Sequence, residues 1–203
     1  LGVRTFQHPT ADLGLIELDD LTHTHDKYRA PYWNNSKILH IYRNPLDFCV
    51  STFFFRYEYR TSHVGTVVNP VEVMNDHLEA YAANYRSYRE VAGRGNSQIL
   101  RVSYEDLISF PAPTLRMILR WLGVEAKTNL VEIATKYSSR ESIRKIEDRD
   151  GPIDTMIDTP EGRFVRDGSI GQWKKYFQPE DLEVAQAKLA RFGVSLDEFT
   201  LEA

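Results

Sequence analysis

At 203 residues, with 42% hydrophobic and 27% charged residues, the chain has the make-up of one ordinary globular domain with a sizeable core. A formal net charge of −4 excludes a broad nucleic-acid surface, so any polyanion must be held by a few positioned cations. Cys49 is the single cysteine, which excludes an internal disulfide and favours a reducing compartment, and no apolar run nears the ~20 residues that span a bilayer.

The N-terminal stretch Leu1-Gly2-Val3-Arg4-Thr5-Phe6 lacks the charge-then-apolar order of a signal peptide, so a cytoplasmic location is expected. Leu13 to Leu21 contains a short apolar run that suits a strand or an irregular segment. Lys37 to Tyr42 reads as a buried central strand, bounded by Asn34-Asn35-Ser36 and Asn44-Pro45. Phe48, Val50, Phe53, Phe54 and Tyr57 then recur at helical spacing. A longer helix is predicted from Pro70 to about Val91, with Pro70 in the first turn and Gly93 at the far end. Gln98 to Val102 reads as a second strand and Tyr104 to Ile108 as a short helix. Pro113 to Leu122 is an amphipathic helix closed by Gly123, and further helices are expected at Asn129 to Tyr137 and Pro179 to Phe192. The stretch Glu147 to Gly171, rich in Asp, Gly, Pro and Thr, lacks periodicity and reads as a mobile loop or lid. Strands alternating with helices predict an α/β class, a parallel β-sheet flanked by helices.

Four segments carry candidate chemistry. In strand–Arg43-Asn44-Pro45-Leu46-Asp47–helix, Asn44 can cap, Pro45 suits the first turn and Asp47 can bond back toward the cap. A helix N-terminus there offers an anion site, where Arg43 can grip a phosphate bidentately and Ser51, two turns on, adds a hydroxyl. The same pattern also fits a plain capped helix with a surface Arg and a buried Ser. Arg166-Asp167-Gly168-Ser169-Ile170-Gly171-Gln172-Trp173-Lys174 offers glycines for close backbone approach to an anion, or a Gly-rich turn anchored by Trp173. Tyr104, at a strand end, suits a base-binding pocket or simple packing. In Thr22-His23-Thr24-His25-Asp26 the two histidines share one face of an extended segment, as alternate residues must. Either histidine can act as a general base, and the pair can take a metal or a surface role. The His-x-His-x-Asp-His pattern of metallo-hydrolases is not completed, because Lys27 follows Asp26.

Taken in order, these segments resemble the cytosolic-type sulfotransferase family, which uses PAPS (3′-phosphoadenosine 5′-phosphosulfate) as donor. Its Arg-Asn-Pro-x-Asp-x-x-x-Ser pattern matches Arg43 to Ser51, its Tyr-Glu-Asp-Leu matches Tyr104 to Leu107, and its helix-ending Phe-Leu-Gly resembles Trp121-Leu122-Gly123. Its late Arg-Lys-Gly-x-x-Gly-x-Trp-Lys matches Arg166 to Lys174 except at Asp167. The resemblance implies a P-loop-NTPase-like sulfotransferase fold over a single domain, 1–203. Arg43 and Ser51 would bind the donor's 3′-phosphate, Arg166 and Gly168 would close over it, and Tyr104 would contact adenine. The catalytic base would be His25, or else His23, with 3′,5′-ADP (PAP) as product and no metal. The acceptor would be a small-molecule or carrier-bound hydroxyl or amine, with no nucleic-acid partner.

Two further departures stand out. Gln178-Pro179 replaces the Thr-Val of the family's dimer segment. No Pro-Lys-Ser-Gly-Thr-type phosphosulfate loop occurs in the chain, and such a loop would carry the largest electrostatic contribution to transfer. The expectation is therefore a domain incomplete at its N-terminus. A non-catalytic 3′-phosphonucleotide-binding remnant and a His-dependent metallohydrolase are the competing readings.

Overall fold

A computed structural model describes residues 25–28 and 36–199. The run of Leu13 to Leu21 and His23 lie outside the described residues. Two strands, β1 (Ile38–Tyr42) and β2 (Ile99–Ser103), pair in parallel with Ile38 opposite Ile99 and Tyr42 opposite Ser103. A parallel pair needs a long crossover. Here it is built from α1 (Pro45–Thr52), a π-helical turn (Phe53–Glu58) and α2 (Pro70–Gly93). After β2 come α3 (Tyr104–Ser109), α4 (Pro111–Leu122), α5 (Thr128–Tyr137), α6 (Arg140–Asp150) and α7 (Pro179–Ala190). Short 3₁₀ turns occupy Gln172–Lys175 and Leu196–Phe199.

Local chemistry accounts for most boundaries. The Asn69 side chain accepts from the amides of Val71 (3.0 Å) and Glu72 (3.1 Å), and Pro70 follows as the first helical residue of α2. At the end of α4, Gly123 takes φ +83°. The Val124 amide then bonds to the Leu119 carbonyl at 2.8 Å and the Gly123 amide to Arg120 at 3.0 Å, a Schellman closure. Val73, Met74, Leu78, Ala82 and Tyr85 along α2 meet Leu46, Cys49 and Val50 of α1 and Ala185 and Leu189 of α7 in one core. Burial pushes the Cys49 thiol up to about 12, so it is a packing residue and not a nucleophile.

Three expectations need correcting. β1 is buried on one face only: His40 points inward, whereas Leu39 and Ile41 are 37% and 52% exposed. The inner face packs on the tyrosines of α2, with the His40 ring stacked 4.3 Å from that of Tyr88. α6 was not anticipated, because its polar sequence carries no apolar stripe, so the irregular segment proper starts at Gly151. The helix entered at Pro45 changes to π geometry at Phe53, which re-aims the aromatic run that follows.

Burial, and then the Arg101 charge, lower the pKa of His40 from 6.5 to about 4. The unfolded chain therefore binds a proton that the native state refuses. Stability should fall as pH drops from about 6.5 and the loss should be complete near about 4. In urea titrations across this window the wild type should lose stability relative to His40→Phe as pH falls; a stability difference that does not change with pH would rule this out.

Candidate functional site

The carboxyl ends of β1 and β2 open side by side onto Arg43-Asn44 and Tyr104, the place where open parallel sheets bind ligands. The two turns are tied together: the Asn44 amide donates to buried Glu105 Oε1 at 2.9 Å. Asn44 Oδ1 accepts from the amides of Leu46 (2.9 Å) and Asp47 (3.2 Å), as expected for the cap. With Pro45 lacking an N–H, the first-turn donors of α1 are thereby consumed, so the expected anion site on free helix amides is not present. What the turn offers an anion is side-chain chemistry.

Arg43 supplies it. Its guanidinium lies over the Tyr104 ring at 4.3 Å, and its Nη2 donates to the Ser169 carbonyl at 3.1 Å. The side chain is 17% exposed, and its buried Nε has no acceptor. A buried charged donor without a partner is costly, and an incoming oxyanion would satisfy it. Tyr104 in turn donates to the Gly168 carbonyl at 2.9 Å. Burial raises the Tyr104 hydroxyl pKa, with Arg43 pulling it back, so it stays a donor at neutral pH.

Asp47 does not bond back to the cap. It is fully buried, and its carboxylate accepts from the amides of Gly171 (2.7 Å) and Trp173 (2.9 Å), with Arg43 Nη2 at 4.0 Å. The late loop is thus anchored on the first turn of α1, because two backbone amides give a buried carboxylate better partners than an already bonded cap. The same loop is held from the other side by α6, where Arg140, Arg144 and Glu147 fall on one face. Arg140 Nη1 reaches the Asp167 carbonyl, and Arg144 donates to the carbonyls of Val165 (3.1 Å) and Arg166. Buried Glu147 accepts from the amides of Phe164 (2.7 Å) and Val165 (3.2 Å). Gly168 takes φ +67°, which favours glycine.

Arg43, Tyr104 and Gly168 are therefore in contact. Arg166 joins them through a relay: it bonds Gln172 Oε1, and Gln172 Nε2 donates at 3.0 Å to the Ser169 carbonyl that Arg43 also uses. Its guanidinium lies 3.9 Å over the Phe54 ring, facing the aromatic run. Ser51, read alternatively as buried, is exposed on the last turn of α1. His25 is exposed, and its carbonyl and that of Asp26 both accept from Asn84 Nδ2 at 3.0 Å, pinning the segment to α2. Asp47 as a loop anchor, Gln172 as a relay and the α6 arginines were not found from sequence; only the i, i+4, i+7 spacing of Arg140, Arg144 and Glu147 hinted at a shared face. Among the described residues no group of three or more His, Cys, Asp or Glu could hold a metal, and no helix is long and apolar enough to cross a membrane.

A parallel α/β fold with its cation-bearing mouth at the strand ends defines the class, and solved structures match it. Mouse sulfotransferase SULT7A1 complexed with PAP superposes with a TM-score of 0.63 at 19% identity, over 77% of this chain and 58% of that one. Retinol dehydratase in complex with androsterone and inactive cofactor PAP gives 0.63 at 18% identity, over 84% and 50%. These likenesses establish the sulfotransferase fold. The family model described as "Sulfotransferase domain" matches residues 12–191, and the chain belongs to that family. Among curated relatives, Cytosolic sulfotransferase 17 of Arabidopsis thaliana is 27% identical over 191 residues, 85% of this chain and 55% of the relative. The 3-alpha-hydroxysteroid sulfotransferase of Cavia porcellus is 27% identical over 176 residues, 80% and 59% respectively. The chain thus spans little more than half the length of these relatives.

Proposed function

We propose that this chain carries the 3′-phosphate half of the donor site in a PAPS-dependent sulfotransferase. The observation that carries the reading is Arg43: a mostly buried guanidinium at the mouth of two parallel strands, stacked on Tyr104, with a buried N–H lacking an acceptor. Arg43 and Ser51 hold the 3′-phosphate, Tyr104 borders the adenine, and Arg166 and Gly168 close over the nucleotide from the loop. The 151–171 segment acts as the lid. Glu147 holds it at Phe164 and Val165, and Asp47 holds it at Gly171.

His25 serves as the general base. It takes the proton from an acceptor hydroxyl or amine as that atom attacks sulfur, and the bond from sulfur to the 5′-phosphate oxygen breaks to release 3′,5′-ADP. A small apolar acceptor suits the aromatic run, where Phe55 meets the exposed Phe164 edge-on at 6.3 Å. The hydroxysteroid, androsterone and retinol in the names of the related proteins are of this kind.

In protein spanning the whole domain, His25→Ala should lower turnover by about 10²–10⁴-fold and leave 3′,5′-ADP affinity unchanged. Loss of turnover in His23→Ala instead would move the base by two residues. Full turnover in both variants would remove histidine from the mechanism.

A further inference from the structure

An acidic residue beside a phosphate is an electrostatic liability, and Asp167 sits next to Gly168 in the loop assigned above to the 3′-phosphate. The structure shows how that charge is met. The Asp167 carboxylate accepts from the Ser169 hydroxyl at 2.5 Å and from Arg140 Nη1 at 3.3 Å, while the same Nη1 reaches the Asp167 carbonyl. The Ser169 hydroxyl, followed by the nearby Arg166 charge, holds the Asp167 carboxyl below its usual range, so it is an anion at neutral pH.

Arg140 does more than neutralise it. A Cβ built on Gly168 would lie 3.4 Å from Arg140 Cδ and 3.5 Å from the Tyr104 hydroxyl, so the Arg140 stem, Tyr104 and Gly168 converge on one point. Arg43 stacks on the same Tyr104 ring at 4.3 Å. The Tyr104 hydroxyl feels both cations, Arg43 more strongly than Arg140. Two guanidinium groups are thus drawn to a single tyrosine–glycine contact in a protein whose net charge is −4. Only Nη1 of Arg140 is engaged by the loop. Its Nη2–Nε edge has no protein acceptor among the described residues, and the side chain is 52% exposed. That edge has the fork geometry that matches two phosphate oxygens.

We propose that Arg140 is a nucleotide-binding residue, which grips the 3′-phosphate together with Arg43 and offsets the negative charge of Asp167. The proposal rests on the donor-site reading of Arg43. Asp167 then acts as the orienting partner that holds the Arg140 guanidinium against the loop.

Calorimetry with 3′,5′-ADP and with 5′-AMP, which lacks the 3′-phosphate, tests it on the chain as it stands, with 5′-AMP measured by displacement of 3′,5′-ADP. Arg140→Ala should weaken 3′,5′-ADP by about tenfold or more and 5′-AMP by less than about twofold. Arg140→Lys, which keeps the bond to Asp167, should show a smaller loss with the same selectivity, and it serves as the test should the alanine variant not fold. Adding Asp167→Asn to Arg140→Ala should restore part of the affinity, because the unneutralised anion is gone. An equal loss for both nucleotides, or no loss while Arg43→Ala weakens binding, overturns the role of Arg140 and leaves the donor site standing. Unchanged 3′,5′-ADP affinity in a folded Arg43→Ala protein overturns the donor-site reading itself.

Discussion

Asp47→Ala should lower the melting temperature by about 5–15 °C and weaken 3′,5′-ADP binding in the same protein. The carboxylate is wholly buried and is the acceptor for two backbone amides, those of Gly171 and Trp173. Truncation strands both donors, at about 1–3 kcal/mol each. For a domain of this size each kcal/mol moves the midpoint by about 2–4 °C. The change also removes the anchor that brings Ser169 and Gly168 to Arg43 and Tyr104, so the loop half of the site goes with it. Asp47→Asn should fall between: its amide oxygen keeps one bond, and its NH₂ opposes the other amide. Calorimetric melting of the three proteins checks the order, and an alanine variant that melts with the wild type would mean that the anchor is not formed in solution.

Arg43→Ala should weaken 3′,5′-ADP by about 10–100-fold, the equivalent of about 1.5–3 kcal/mol for a charge-assisted contact. Unlike the loss of Asp47, it should cost little stability. Asp47 keeps both its amide partners, and the Ser169 carbonyl keeps Gln172 Nε2. The pair of variants therefore separates binding from folding at two positions four residues apart. Part of the Arg43 effect is electrostatic, so the gap between wild type and variant should narrow at high salt. Isothermal calorimetry at two ionic strengths reads both numbers, and unchanged affinity in a folded Arg43→Ala protein would sink the assignment of the site.

The elements around this turn were legible because their causes are local. Ile38–Tyr42 is a β-type run that stops at Asn44-Pro45, and the Asn-Pro pair then caps and starts α1. Gly123 closes α4 through bonds to residues a turn away. Tyr104 and Gly168 could be named from their motifs, and the structure puts them in contact. The misreadings share one cause. Asp47 was assigned to a neighbour three residues back, whereas its partners lie 124 and 126 residues further on. α6 escaped notice because its inward face grips a loop with charge and carries no apolar stripe.

The sequence by itself determined the parallel α/β class, the capped turn after β1 and the cation at its head, since periodicity, caps and breakers act within about two helical turns. Only the tertiary structure decided what that cation meets. The Tyr104 ring beneath Arg43, the Ser169 carbonyl at its edge and the Arg140 fork beside Gly168 come from segments with no periodic link to one another. Their meeting depends on the path of an irregular loop, and that path is set by two buried carboxylates, Asp47 and Glu147, accepting amides from far along the chain.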